Sequence, residues 1–267
     1  MKSIFTQADN EFMIQNYQTM SYREIADRLG FSERQIRGRL NNMGYKKIGN
    51  RFNDEYFDNV DTPEKSYFLG LFYADGYVVH RPDTRNYEAS IELHVDDKDT
   101  LLAYQSAIEM GCPLTNRERD TDFNGHQYHS STLVTRVYSK HFCERLIELG
   151  IVPNKTYRAE FPSQFSSPSA FVRGFLDGDG CIYCSGTRSS VSFTNPNESF
   201  LRFLMNLIES NTGVIGHIYR ENEWKVRLMY YGLSDVLLLL NWIYNSDSAW
   251  RMDRKYQKYQ AILGLAA

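Results

Sequence analysis

Little in this sequence favours a secreted or membrane-bound protein. Only 4 of its 267 residues are cysteine. Cys112, Cys143, Cys181 and Cys184 are too few and too scattered to staple a small extracellular fold. Cys181-Ile182-Tyr183-Cys184 is a single CxxC without a second pair at zinc spacing, and on a strand its two thiols would point to opposite faces. The 6 histidines are dispersed; the one close pair, His126 and His129, falls in a polar stretch that reads as surface. No apolar run approaches the roughly 20 residues that cross a bilayer, and the leucine run Leu237–Leu240 is followed by Asn241. Met1 to Gln7 lack the apolar core of a secretory signal. The expectation is a reduced, cytoplasmic protein with no membrane association. With 42% hydrophobic and 24% charged residues, the chain is rich enough in apolar side chains to bury a core and is not disordered.

Net charge is −3, a poor start for a nucleic-acid protein until it is divided along the chain. Residues 1–52 hold nine Lys/Arg against five Asp/Glu, or +4, and residues 53–267 hold 21 against 28, or −7. The basic excess is concentrated in Arg34, Arg37, Arg39, Lys46, Lys47 and Arg51, opposed only by Glu33 within 32–52. A short basic block at one end of an acidic body is an electrostatic footprint.

That block sits in a segment, residues 1–50, that reads as three helices. Thr6 can cap a helix running to about Tyr17. Ser21-Tyr22-Arg23-Glu24 is a capping box opening a helix to Leu29, which Gly30 ends; Ser32-Glu33-Arg34-Gln35 opens another that stops at Gly44. Ala26, Gly30 and Ile36 stand at helix-turn-helix offsets, with Ile25, Leu29, Ile36 and Leu40 as the buried face. Arg34, Gln35, Arg37, Arg39, Asn41 and Asn42 are left on or near the outer face. Together with Lys46 and Lys47 they are the side-chain types that reach base edges and phosphates in a major groove. The segment resembles the helix-turn-helix modules of bacterial and phage proteins. Residues 51–62, polar and containing Asn53-Asp54-Glu55, read as a linker.

The remainder is an internal duplication. Residues 67–78 (YFLGLFYADGYV) and 171–182 (FVRGFLDGDGCI) repeat a glycine, an aspartate and a second glycine at one offset of 104 residues: Gly70 and Gly174, Asp75 and Asp179, Gly76 and Gly180. Each motif leads into an alternating region, a helix-like stretch, a second alternating region and a second helix. The pattern is αββαββα taken twice, over 63–161 and 162–267. The expected fold class is α+β, with pseudo-two-fold duplication and antiparallel sheets. The small pairs Gly70/Ala74 and Gly174/Gly178 allow the two motif helices to pack closely. Gly76 and Gly180 suit a left-handed residue ending each helix. Asp75 and Asp179 then lie together at two helix C-termini, where both the dipoles and mutual repulsion disfavour anions. Divalent metal between them resolves the conflict, and oxygen donors point to Mg²⁺ in phosphodiester hydrolysis. A calcium-loop reading of Asp177-Gly178-Asp179-Gly180 fails, because the twelfth position is Arg188 instead of glutamate.

These paired segments resemble the signature helices of the LAGLIDADG homing endonucleases, and the resemblance covers about residues 63–260. In the first copy Tyr73 replaces the family's earlier aspartate, a structural position. The resemblance implies that Asp75 and Asp179 are the catalytic, metal-binding carboxylates, with Ala74 and Gly178 beside them in the metal site. Asp97 and Asn197 match polar positions that organise water, and Lys155 and Lys255 match a basic residue that stabilises the transition state. Mg²⁺ is the implied cofactor, with Mn²⁺ able to substitute and Ca²⁺ binding without supporting cleavage.

It also implies saddle-shaped sheets lying along the major groove of double-stranded DNA. Alternation then turns Ser90, Glu92 and His94 outward in the first repeat, opposite Ile91 and Leu93. In the second it turns Ser190, Ser192, Thr194, Lys225 and Arg227 outward. Arg81, Arg85, Arg117, Arg119, Arg136 and Arg188 are further candidates for phosphates and guanines. One chain carries both halves, so the implied enzyme is a monomer with a long, asymmetric target and no obligate protein partner. No splicing residues frame the chain, so a free-standing or intron-encoded enzyme is expected in place of an intein. The competing class is a non-catalytic DNA- or RNA-binding protein on the same scaffold, a transcription regulator or intron maturase. Retention of both aspartates favours the nuclease.

Overall fold

The computed structural model describes residues 4–17, 20–45, 52–123, 126–153, 160–162, 164–186, 188–222, 225–244 and 250–265. Three short helices come first: α1 (Gln7–Asn16), α2 (Tyr22–Leu29) and α3 (Glu33–Asn42). Each opens on a complete capping box, formed by Thr6 with Asp9, Ser21 with Glu24 and Ser32 with Gln35. Gly30, in the left-handed conformation at φ 75°, ends α2 and turns the chain into α3. Met13, Ile25, Ala26, Ile36 and Leu40 close over one another as a small core of their own.

The body repeats one pattern twice. The first pass is α4 (Pro63–Asp75), β1 (Gly76–Arg81), β2 (Asn86–His94), α5 (Lys98–Ala107), β3 (Thr115–Phe123), β4 (His126–Val137) and α6 (Lys140–Glu148). The second is α7 (Pro168–Asp179), β5 (Gly180–Ser185), β6 (Arg188–Thr194), α8 (Glu198–Thr212), β7 (His217–Asn222), β8 (Lys225–Tyr231) and α9 (Leu233–Tyr244). Even the helix starts match: Thr62 before Pro63 and Ser167 before Pro168 each cap the following turn with a hydroxyl. A further helix, α10 (Asp253–Leu265), lies outside the expected pattern and packs on β5 and α9.

Two four-stranded antiparallel sheets result, ordered β1-β2-β4-β3 and β5-β6-β8-β7. Strand alternation sends Val78, Ala89, Ile91, Leu93 and Val137 of the first sheet to the helices, and Ile182, Val191, Phe193, Val226 and Leu228 of the second. These join α4 and α7 in one continuous core. The stretch expected as a linker belongs to that core: Tyr56, Phe57 and Val60 are buried, and Arg145 Nε donates to the Phe57 carbonyl at 2.9 Å. The aromatic and aliphatic side chains between its acids explain why it packs.

Candidate metal and nucleic-acid site

The helices α4 and α7 meet backbone to backbone. A Cβ at Gly70 would lie 2.1 Å from the carbonyl oxygen of Phe171, and one at Gly174 would lie 2.0 Å from that of Tyr67. Phe171 is the repeat equivalent of Tyr67, so the contact is reciprocal. Further along, a Cβ at Gly178 would lie 2.2 Å from the Ala74 methyl and 2.5 Å from Asp75 Oδ2. The carboxylate at the end of α4 therefore rests against the residue preceding Asp179, the last residue of α7. Both aspartates are half-buried.

Gly76 and Gly180 do not take the expected left-handed conformation. Both are extended, at φ −79° and −93°, and lead directly into β1 and β5. Glycine is required there because the chain folds back on its own helix: a Cβ would lie 2.3 Å from Phe72 Cδ1 at Gly76 and 2.4 Å from Leu176 Cδ1 at Gly180.

Beneath the carboxylates, the two repeats differ. Asp177, fully buried, accepts the Tyr67 hydroxyl and the Met252 backbone N–H, both at 2.8 Å. Burial pushes its carboxyl up to about 6, against the pull of Lys255 and these hydrogen bonds. At the equivalent position Tyr73 donates to the carbonyls of Leu149 and Glu160. Each side chain thus ties its motif helix to the chain after its repeat's last sheet helix, one by accepting and the other by donating.

Lys255 is buried, and its ammonium donates to the carbonyls of Leu176, Asp177 and Gly180, with Gly178 at 3.5 Å. It caps the end of α7, sharing the Leu176 carbonyl with the Gly180 N–H and reaching carbonyls beyond the last helical donors. Burial pushes its pKa down to about 8, with Asp177 opposing. Asp97, only 6% exposed, is held by Arg254 through Nε at 2.8 Å and Nη2 at 2.9 Å. Asn197 caps α8, accepting from the Phe200 N–H at 3.2 Å. Lys155 lies outside the described residues, as do Lys46 and Lys47. Sequence reasoning missed Tyr67, Arg173, Asp177 and Arg254. Arg173 carried a signal, as an arginine inside an otherwise apolar motif; it is buried and donates to the Ile243 carbonyl at 2.6 Å.

On the solvent face of the first sheet, Arg117 and Arg119 converge on Glu92, with Nη1 atoms at 2.9 and 2.6 Å, and Thr132 donates to it at 2.6 Å. Arg136 pairs with Glu88 at 3.1 Å. Ser90, expected outward, does lie on this face but is only 8% exposed, between its register partners Tyr77 and Arg136. His94 is exposed. The second sheet presents Ser190, Ser192 and Thr194, with Lys225 and Arg227 both on Glu221 at 2.9 and 3.0 Å. Exposed Cys181 shares this face, and Cys184 lies on the other. Arg81, Arg85 and Arg188 are exposed at the ends of the β1–β2 and β5–β6 hairpins. On α3, Arg34, Arg37 and Asn41 are exposed. Gln35 is engaged in the capping box, and Arg39 is turned back to donate to Asn10 at 2.7 Å.

Residues 166–257, the second repeat, match the family model of the LAGLIDADG-like domain. A Methanocaldococcus jannaschii protein, described as the uncharacterized protein MJ0398, is 25% identical over 196 residues, 72% of this chain. The match spans 65% of that relative, so the chain covers less than two thirds of its length. Among solved structures, the homing endonuclease I-WcaI bound to its DNA recognition sequence superposes with a TM-score of 0.52 at 12% identity, over 71% of this chain and 85% of that one. The N-terminal LAGLIDADG domain of DUF199/WhiA gives 0.42 at 16% identity, over 73% and 91%. The second repeat thus matches a LAGLIDADG-like domain, and the body as a whole has the fold of the LAGLIDADG homing endonucleases.

Proposed function

We propose that this protein is a monomeric, divalent-metal-dependent endonuclease that cuts both strands of a long, asymmetric DNA site. The observation that carries the reading is the placement of Asp75 against Gly178, at the paired ends of α4 and α7. Asp75 and Asp179 each end a motif helix, where the helix dipole favours a cation. The donors there are all oxygen, which suits Mg²⁺. No cluster of three or more His, Cys, Asp or Glu forms among the described residues. An Mg²⁺ ion held by one or two carboxylates keeps several waters and takes phosphate oxygens to complete its shell. Asp75 and Asp179 would hold it; the Gly178 carbonyl already faces Lys255. When bound, the metal supplies an activated water and charge stabilisation at the leaving oxygen. Lys255 and the Asp97–Arg254 pair fix the backbone around the seam, and the solvent faces of the sheets bind and orient the duplex. The N-terminal helices add a second, basic contact through α3.

The reading is tested by incubating a plasmid that carries the fused, insertion-free sequence of the gene's native locus with wild type and Asp75→Asn/Asp179→Asn. Linearisation in Mg²⁺, absent in EDTA and in the double variant while DNA binding persists, is the expected result. Binding without cutting by wild type in Mg²⁺ and Mn²⁺ would replace this reading with a regulator or maturase. The buried position of Lys255, expected as a catalytic cation, is the observation that favours that second reading.

A further inference from the structure

The cations on the solvent faces of the sheets are of two kinds. Arg81, Arg85 and Arg188, at the hairpin ends, are exposed and form no ion pair among the described residues. Five others each face a carboxylate: Arg117 and Arg119 on Glu92, Arg136 on Glu88, Lys225 and Arg227 on Glu221. Stability is a weak account of this matching, because ion pairs that water still reaches on one side contribute only about 0–1 kcal/mol each. Affinity for phosphate does not account for it either, since every matched cation displaces fewer counterions from DNA than a free one. A matched face does discriminate. Its arginines leave the carboxylate only for a surface that satisfies both partners, and elsewhere the carboxylate repels phosphate.

Glu92 is the most developed case, with one carboxylate shared by two arginines and Thr132 across three strands, β2, β3 and β4. Although burial opposes it, the Thr132 hydroxyl and the arginines hold its carboxyl below the usual range, so it is ionised at neutral pH. In the major groove a G·C pair presents two acceptors on guanine and an amino donor on cytosine. Guanine can take an arginine while cytosine satisfies the glutamate. An A·T pair offers no equivalent combination at the same spacing. We propose that Glu92 is a specificity-determining residue of this face, holding Arg117 and Arg119 away from bare phosphate and releasing them at G·C pairs. This rests on the reading of the chain as a DNA-binding protein.

The test uses the full chain and a pool of random-sequence duplexes, comparing wild type, Glu92→Gln and Arg81→Ala/Arg85→Ala. Glutamine keeps the size of the side chain and an acceptor for Thr132, and an unchanged melting temperature shows that the fold is kept. Glu92→Gln should bind the unselected pool severalfold more tightly. With two arginines released, its salt slope should steepen by about 2. Sequences it enriches from the pool should lose the G·C preference that wild type shows at one cluster of positions. Arg81→Ala/Arg85→Ala should weaken binding evenly and leave the enriched sequences unchanged. Glu88→Gln, which frees one arginine, should show half the salt effect. If wild type binds DNA and Glu92→Gln matches it in slope and enriched sequence, the proposal falls and the DNA-binding reading stands. If neither wild type nor any variant binds duplex DNA, both fall together.

Discussion

Asp97 and Arg254, 157 residues apart in sequence, form a two-pronged ion pair that joins the start of α5 to the start of α10. The partners are unequally exposed: the Asp97 side chain is 5% accessible and that of Arg254 50%. Removing the arginine strands a buried carboxylate, whereas removing the carboxylate leaves a guanidinium that water can reach. Arg254→Met should therefore cost about 2–3 kcal/mol and Asp97→Asn less than about 1 kcal/mol. Urea unfolding of both variants at neutral pH measures the difference; equal losses would show that the pair's burial is not what matters.

Asp177 makes stability depend on pH. Burial raises its folded pKa to about 6, from the ordinary aspartate value of 3.8. The folded state therefore holds its proton more tightly, and this contribution is complete below about pH 4 and lost as pH rises through about 6. The change amounts to roughly 3 kcal/mol. Asp177→Asn, which keeps an acceptor for Tyr67 and Met252, should remove this component. The check is the difference in unfolding free energy between wild type and variant from pH 4 to 7, which should slope; a flat difference would mean that Asp177 titrates normally in the fold.

Two glycine-to-alanine changes on α7 should both disturb the seam. At Gly174 the added methyl meets the Tyr67 backbone, which cannot move without opening the seam, so the cost should be about 3 kcal/mol or more. At Gly178 it meets the Ala74 Cβ, which no side-chain rotation can move, as well as the Asp75 carboxylate. Gly178→Ala should therefore also destabilise, by about 1–3 kcal/mol, and under the proposed function it should slow plasmid cleavage by displacing the carboxylate. Thermal unfolding and plasmid cleavage read the two effects; a Gly178→Ala variant as stable as wild type would show that the helices part there without cost.

Gly38 lies within α3 with open space where a Cβ would be, and exposed Arg34, Arg37 and Asn41 surround it. Alanine there should stabilise α3 by up to about 1 kcal/mol. If this side of α3 enters a groove, the same methyl should weaken duplex binding. Higher stability with undiminished affinity would place the DNA contact on another face.

The duplication was legible because close helix packing needs glycine at fixed spacing, and Gly70 and Gly174 announce it in the sequence. The three N-terminal helices were legible for a similar reason: a capping box is a local device, satisfied within four residues. Strand alternation likewise assigned Val226 and Leu228 inward and Arg227 outward. The fates of Asp97, Lys255 and Arg117 were not legible. Each is decided by a partner far away in sequence, namely Arg254, the carbonyls ending α7, and Glu92. Polar residues carry no periodicity that reveals which of them will be consumed by such a partner. Tyr56 and Phe57 were hidden differently, being short aromatic entries in a stretch dominated by acids and asparagine.

The seam between the repeats is reciprocal in its backbone and unequal in its side chains. On one side Tyr67 meets Asp177 through a hydrogen bond; on the other the equivalent residues, Phe171 and Tyr73, meet edge to face at 5.4 Å. Two copies of the first repeat would set Tyr67 against Tyr73 twice. Two copies of the second would set Phe171 against Asp177 twice, burying a carboxylate without its phenol. Only unlike halves satisfy both contacts. Severed between α6 and α7, the chain would carry its own pairing code, and its fragments would reassemble as a heterodimer in preference to either homodimer.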